Sequence, residues 1–190
     1  MPERTDGPRE RMIRSAALLV RERGARATSI DDVLAHSGAP RGSVYHHFPG
    51  GRDELLREAT TFAGAVVARR MTRGGTPLAA FDAICDQYRT DLLGTDFRAG
   101  CPVVAVAIEA GEDGPAREEA GAVFGRWAAI LAGSLQEGGI EPARAGELAD
   151  VVLAGLEGAI VLSRARRDIT PFEHVRAELR ALLERESGAS

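Results

Sequence analysis

The sequence predicts an all-α protein of about nine helices. Ala, Leu, Arg and Glu fill long stretches in which apolar residues recur at steps of three and four, the spacing of one helix face. The alternation of β-branched or aromatic residues with polar ones, which is typical of strands, is scarce. Proline and glycine stand where these stretches begin and end. A chain of 190 residues that is 44% hydrophobic can form a small domain joined to a larger one.

Three short helices are predicted within the first fifty residues. The first covers residues 9–23, the second ends at Gly38, and the third covers residues 40–48. Thr28 and Ser29 offer side-chain oxygens that can cap the second helix. Because a tight glycine-containing turn separates the last two helices, the pattern matches a helix-turn-helix, in which the second helix of the pair enters the major groove of DNA.

Longer helices account for most of the remaining chain. They are predicted over residues 52–70, 77–92, 102–110, 115–138, 142–166 and 171–186. The helix over residues 142–166 is apolar on nearly every side in its second half. Its surface must therefore be covered by more than its own domain.

The charge distribution limits which part of the chain can bind a polyanion. All 24 basic residues are Arg, so an Arg-rich segment does not by itself indicate nucleic-acid binding. Residues 1–60 hold ten Arg against nine acidic residues (net +1), whereas residues 61–190 hold fourteen against nineteen (net −5). Only the first part can approach phosphates at low electrostatic cost.

We expect a cytoplasmic protein without cofactor or metal. No signal-like apolar segment follows the N-terminus, and the most apolar run, residues 151–162, is too short to span about 30 Å of hydrocarbon. Cys85 and Cys101 lack CxxC spacing and suit reduced, buried thiols, while a redox-sensing pair stays open. His46 and His47 diverge by about 100° on a helix and have no third metal ligand close in sequence.

Residues 38–56 carry side chains of the types that contact DNA. Val44 and Phe48, four residues apart, form the inner face of the short helix, and the other side chains face outward. Arg41 can bridge O6 and N7 of guanine, and Gly42 permits close approach of the backbone.

Phosphate contacts are expected from the same segment and its flanks. The hydroxyls of Ser43 and Tyr45 can donate to phosphate oxygens, and Arg52 can add a contact at the start of the next helix. The predicted DNA-contacting residues are Thr28, Ser29, Arg41, Gly42, Ser43, Tyr45, His46, His47 and Arg52. Taken singly, the tyrosine and the two histidines are equally compatible with ordinary surface positions.

Residues 9–57 resemble the DNA-binding domain of the TetR family. The resemblance rests on a glycine after the first helix, a Thr/Ser cap, and a short helix that ends Tyr, any residue, His, Phe; these residues are Gly24, Thr28, Ser29, Tyr45, His47 and Phe48. The segments PGGRDEL, GCPVVAVAIEA and LEGAIVLSRARRD resemble the LmrA/YxaF-like branch. Pro40 and Gly51 depart from the Ser and Lys that many members have there, and Arg52 is placed to take over from that Lys.

This resemblance implies a helix-turn-helix DNA-binding domain over residues 1–50 and a domain for effector binding and dimerisation over residues 51–190. It implies a homodimer joined through the last two helices. The expected interface residues are Leu148, Val152, Gly155, Leu156, Ala159, Leu179, Leu182 and Leu183. Small residues such as Gly158 allow close helix approach, and a core formed within one chain is the alternative for this set.

The resemblance also implies a cavity for a small-molecule effector, lined by several helices. The expected lining residues are Phe62, Val66, Tyr88, Cys101, Val104, Ile108, Phe124, Trp127, Leu131, Leu153 and Glu157. Polar contacts are expected from Tyr88, Glu109, Trp127 and Glu157. For any one of these residues, a filled core is the alternative.

The sequence as a whole favours a ligand-responsive regulator of transcription. We expect a homodimer that binds a palindromic operator as a repressor and is released by a small apolar or aromatic effector. A small-molecule-binding helical dimer without DNA binding, or a helical enzyme, are the rival functions. We expect no enzyme, because the sequence shows no nucleophile paired with a base and no phosphate-binding glycine loop.

Overall fold

The structure, a computed structural model, describes residues 7–72, 75–111 and 114–188. Within these residues it contains nine α-helices, one short 3-10 turn (Arg41–Ser43) and no strand, which confirms the predicted all-α fold. The helices are α1 (Pro8–Arg23), α2 (Ile30–Ser37), α3 (Val44–His47), α4 (Gly51–Met71), α5 (Pro77–Gly94), α6 (Pro102–Glu109), α7 (Pro115–Glu137), α8 (Pro142–Arg166) and α9 (Thr170–Glu186). The remaining residues of the predicted domains 1–50 and 51–190 lie outside the described part.

Local signals account for where these helices start and stop. The Ser29 side chain accepts a hydrogen bond from the Asp32 amide, while the Asp32 carboxylate accepts one from the Ser29 amide, so that α2 begins with a reciprocal capping box. Thr76 caps α5 in a similar way through the Ala79 amide. Gly38 ends α2 in a left-handed conformation with φ 63°, which a residue without a side chain adopts at low cost.

Among the described residues, the first compact unit comprises 7–64, 102–111 and 114–123. Its helices α1 and α2 pack against each other, and α6 packs against α1. Large apolar side chains fill its interior, among them Met12, Val20, Val33, Val44, Phe48 and Leu55. Arg9 of α1 pairs with Glu58 of α4 at 2.6 Å, so the first helix is tied to the helix that follows the helix-turn-helix.

The second compact unit comprises the described residues 65–72, 75–101 and 124–188. Its helices α8 and α9 pack against each other, and both contact α5. The side chains buried within it include Phe81, Leu92, Trp127, Leu148, Ile160 and Phe172. Arg176 of α9 pairs with Asp82 at 3.1 Å and with Asp86 at 2.7 Å, which joins α9 to α5 at the edge of this interior.

The apolar helix α8 lies in this second unit. Among the described residues, no helix combines the length and the apolar character needed to cross a bilayer.

Candidate nucleic-acid interface and effector site

The segment between α2 and α4 presents its polar residues outward because its apolar ones are anchored. Val44 and Phe48 are buried in the first unit, as their spacing predicts. The Arg9 guanidinium lies 5.4 Å from the centre of the Phe48 ring, which covers the ring with a cation. The backbone between α2 and α4 forms the 3-10 turn Arg41–Ser43 and then the single turn of α3.

Three side chains of this segment are free to meet a nucleic acid. The Arg41 side chain is 86% exposed, with a loose ion pair of 3.7 Å to Asp31. Tyr45 is 67% exposed. His46 is also exposed, and its ring lies edge-on to that of His47 at 5.2 Å between centroids. Arginine and tyrosine at such positions can contact base edges and phosphates.

Gly42 lies on the same outward surface. A β-carbon built on it would meet no atom within 4 Å, and its backbone φ is not in the left-handed region. Neither packing nor backbone conformation within the chain therefore requires a glycine here. A molecule that approaches from outside does give a reason for the missing side chain.

Two of the predicted DNA-contacting hydroxyls are used inside the protein. Thr28 is only 2% exposed, and its hydroxyl donates to the Gly24 carbonyl at 2.8 Å. The Ser43 hydroxyl donates to the Pro40 carbonyl at 2.7 Å. The Thr28 side chain thus stabilises the turn from inside the protein. Because the hydroxyl proton of Ser43 is used in its bond to Pro40, the Ser43 oxygen can only accept further hydrogen bonds. Ser29 is exposed but acts as the cap of α2.

Arg52 is also directed toward the protein. Its Nε donates to the Thr28 carbonyl at 3.0 Å, and Nη2 donates to the Ala25 carbonyl. The guanidinium therefore joins the start of α4 to the loop between α1 and α2. Arg52 is thus a positioning residue in this structure, whereas the sequence predicts a phosphate contact for it.

Glu109, at the end of α6, has a structural role that the sequence analysis missed. Its Oε2 accepts a hydrogen bond of 2.9 Å from the Arg26 amide. A β-carbon on Gly24 would lie 2.7 Å from both carboxylate oxygens, and Gly24 has φ 91°. The carboxylate thus occupies the space that the glycine leaves free. Gly24 was the available signal, but its position alone indicated only a helix end.

In the second unit, three of the predicted effector-binding residues form a chain of hydrogen bonds. Tyr88 of α5 donates to the thiol of Cys101, and Cys101 donates to the carboxylate of Glu157 on α8. Burial raises the pKa of Glu157 to about 7, and the bond from Cys101 opposes this shift. Burial also raises the pKa of Tyr88 well above its usual value.

The other predicted effector residues have varied surroundings. Phe124 and Trp127 meet edge to face at 5.5 Å between ring centroids, and Leu131 is buried, whereas Val66 and Leu153 are partly buried. In the first unit, Phe62 and Val104 are partly buried, and the Phe62 ring lies under the Arg14 guanidinium at 5.5 Å. Ile108 is 74% exposed. A cavity formed by the complete set stays a prediction.

Comparison with known proteins identifies the family. Residues 12–59 match the model described as bacterial regulatory proteins of the tetR family, and residues 77–178 match the C-terminal domain of the LmrA/YxaF-like transcriptional regulators. The chain belongs to the TetR family. It is therefore a transcriptional regulator, as the resemblance implied.

Individual TetR-family relatives support this assignment over most of the chain. An HTH-type transcriptional regulator of Mycobacterium tuberculosis is 54% identical over 183 residues, which cover 93% of this chain and 94% of the relative. LmrA of Bacillus subtilis, an HTH-type transcriptional regulator, is 30% identical over 182 residues, covering 93% and 97%. The crystal structure of a TetR regulatory protein from Rhodobacter sphaeroides has the same fold, with a TM-score of 0.80 at 21% identity and coverage of 90% and 96%.

Most residues predicted for the dimer interface of this TetR-family chain are buried within a single protomer. Six of the eight expected interface residues are buried within one protomer: Leu148, Val152, Leu156, Ala159, Leu179 and Leu183. Gly155 also packs within the protomer, since a β-carbon added at this position would lie 3.0 Å from Leu179 of α9. Leu182 is partly buried. Most of the expected residues therefore cannot supply the area that a second copy would cover.

A different face of α8 is apolar and exposed. Its members are Val151, Ala154, Gly158, Val161, Leu162 and Ala165. The largest side chain of this face, Leu162, is 52% exposed. Because α8 is apolar on nearly every side, its sequence could not show which side faces the protomer interior.

Cys85 does not have the environment of a reactive thiol. It is fully buried, and burial raises its pKa to about 12. A thiol is oxidised or exchanged through its thiolate form. The Cys85 thiol therefore stays protonated at neutral pH, which weakens the redox-sensing alternative.

Proposed function

We propose that this TetR-family regulator is a cytoplasmic homodimeric repressor that binds a palindromic operator and is released by a small apolar or aromatic effector. In this proposal residues 1–50 bind DNA, and residues 51–190 bind the effector and form the dimer. The observation that carries it is the outward surface of Arg41, Gly42 and Tyr45, which stands on a segment anchored by buried residues.

Each residue of that surface has a distinct part in DNA binding. Arg41 reads guanine in the major groove, and Gly42 lets the backbone approach the DNA. Tyr45, His46 and His47 contact phosphates and set the position of the helix. Ser29 and Ser43 lie at the margin of the interface, whereas Thr28 and Arg52 hold the surface in place through the bonds described above.

The effector site is proposed around the hydrogen-bonded chain of Tyr88, Cys101 and Glu157. The perpendicular pair of Phe124 and Trp127 offers aromatic surface for an apolar ligand. Pockets for small molecules combine such apolar walls with a few polar groups that fix orientation.

Helix α6 offers a physical route from effector to DNA. Cys101 immediately precedes α6, and Glu109 is its last residue. Glu109 in turn holds the Arg26 amide between α1 and α2. A ligand that shifts Cys101 would move Glu109 with the helix and change the position of the DNA-binding helices, which is the differential effect that release requires.

Dimerisation is proposed through the outward face of α8 together with α9. The exposed apolar residues from Val151 to Ala165 provide the area, and Gly158 allows close approach because its β-carbon position is open. A dimer presents two recognition segments, as a palindromic operator requires.

A salt-controlled mobility-shift assay with the DNA beside the protein's own gene tests the proposal. We expect Arg41→Ala to lose about 1–3 kcal/mol of preference for the operator over unrelated DNA, and Tyr45→Phe to weaken binding to both DNAs alike. Arg117→Ala, which removes an exposed arginine of the same unit, is the matched control. Unchanged binding by both variants would refute the contacts. Failure of the parent dimer to bind any such fragment would favour a ligand-binding dimer without DNA binding.

A further inference from the structure

Glu157 carries a buried oxygen that no group of the described chain satisfies. Its Oε2 is inaccessible to solvent and accepts no hydrogen bond. The bond from Cys101 therefore goes to the other carboxylate oxygen. A buried carboxylate oxygen without a donor is costly, so such groups are rare unless a ligand or ion completes them.

The neighbours of Glu157 cannot supply the missing donor. The single hydroxyl proton of Tyr88 is directed to Cys101, and the single thiol proton of Cys101 is directed to Glu157. All donors of this chain of bonds therefore point one way and end at one oxygen. Besides Glu157, the carboxylate that raises the pKa of Tyr88 is Asp91, an acid that cannot pair with another carboxylate.

The surroundings of Glu157 therefore favour a ligand that carries a hydrogen-bond donor and a positive charge. Tyr88 from α5 and Cys101 from the loop before α6 are the titratable groups that face it. Among the described residues that act on its ionisation there is no arginine or histidine. Glu157 as a whole residue is only partly buried, and the broad terminal torsion of a glutamate lets the carboxyl turn toward an entering group.

We propose that Glu157 is the anion that binds a protonated amine on the effector, so that the effector is an apolar or aromatic organic ammonium compound. This inference rests on the proposed function, because it assigns a chemical class to the ligand of the same site. An ammonium N–H satisfies the unpaired oxygen and neutralises the buried charge at once. A neutral hydroxyl would satisfy the oxygen and leave the charge.

Binding of a cation is coupled to loss of a proton from Glu157. Because the pKa of this carboxyl lies at about 7, a fraction of the free protein is protonated at neutral pH and must ionise to pair with the amine. Affinity for an ammonium compound therefore rises between about pH 6 and pH 8 and then levels off. An alkylamine stays protonated across this range.

Two matched probes test the proposal with the whole 190-residue chain. We would titrate the protein with 2-naphthylmethylamine and with its neutral counterpart 2-naphthylmethanol. Binding would be measured by calorimetry and by the fluorescence of Trp127, the only tryptophan of the chain. We expect the amine to bind at least about tenfold more tightly than the alcohol at pH 8, a preference equivalent to about 1.4 kcal/mol. Glu157→Gln should abolish this preference, while Glu137→Gln, an exposed glutamate of the same unit, should retain it.

Equal affinity for both probes, binding of the alcohol alone, binding of neither, or a preference that survives Glu157→Gln would each overturn the proposal. Operator binding is measured separately on the same preparations. A protein that binds operator but shows no charge preference contradicts the inference alone. A protein that prefers the amine but binds no operator contradicts the proposed repressor instead.

Unfolding measurements guard against a variant that simply misfolds. The pKa of Glu157 is raised in the folded state, so the free energy of unfolding of the parent decreases, relative to Glu157→Gln, as pH rises from about 4.5 to about 7. Above that range the difference stays constant. We expect the denaturation midpoints of parent and variant to show this pattern; a pH-independent difference would show that Glu157 lacks the proposed environment.

Discussion

Two glycines of the first unit differ in why a side chain is disfavoured at their positions. Substitution of each one tests this difference. Gly24 has φ 91° and leaves space for the Glu109 carboxylate, whereas Gly42 borders open solvent. We expect Gly24→Ala to destabilise the fold by about 1–3 kcal/mol, because the backbone conformation there is nearly exclusive to glycine. Gly42→Ala should instead leave stability unchanged or raise it by about 0.5 kcal/mol.

Operator binding should separate Gly42→Ala from the parent, although this variant is expected to fold normally. At Gly42 an added methyl group keeps the backbone from the DNA, so affinity should fall by about tenfold in a folded protein, or about 1.4 kcal/mol. Urea denaturation and mobility-shift assays on both variants provide the measurements. If Gly42→Ala bound operator like the parent, close backbone approach would not explain this glycine.

At the scale of single helices, α8 has two apolar sides with different roles. One side, which includes Leu156, is buried within the protomer, and the other side includes the exposed Leu162. We expect Leu162→Glu to convert the dimer to monomers while far-ultraviolet circular dichroism remains helical, because a charge buried in an apolar interface without a partner is costly.

The matched control for α8 is Leu93→Glu, which places the same charge on an exposed leucine at the end of α5. It should leave the dimer intact by sedimentation or light scattering. A dimer that persists in Leu162→Glu would place the interface on another surface. A dimer lost in both variants would show that the effect is not specific to α8.

At the scale of the whole molecule, the proposed regulation requires that effector and DNA binding be coupled through α6. Glu109→Ala removes the acceptor of the Arg26 amide. The sequence predicts Glu109 as a polar effector contact, but its carboxylate binds the turn after α1, so the substitution leaves Tyr88, Cys101 and Glu157 of the proposed effector site in place. We expect each ligand still to bind alone, while the effector-induced loss of operator affinity, for which couplings of about 5- to 150-fold are typical, falls toward none. Operator titrations with and without any compound that releases the parent measure this ratio.

Glu118→Ala, an exposed glutamate of α7 in the same unit, controls for the loss of one negative charge near the DNA. It should release like the parent. Full release in Glu109→Ala would mean that coupling does not depend on the bond between α6 and the turn after α1.

The helices and the anchored recognition segment are predictable from local sequence patterns, because both depend on neighbouring residues. Proline, glycine and the Ser29 cap act within one turn of the backbone, and the four-residue spacing of Val44 and Phe48 sets which side of the segment is buried. The outward position of Arg41 and Tyr45 followed from the same spacing.

Roles that depend on residues distant in sequence become visible only in the folded chain. Arg52 turns to the Thr28 carbonyl, Glu109 reaches the Arg26 amide, and Glu157 meets Cys101, each across many positions of the chain. The inward side of α8 was equally hidden, since periodicity cannot orient a helix that is apolar all around. Local patterns record which residues share a face; the partner of that face is decided by packing.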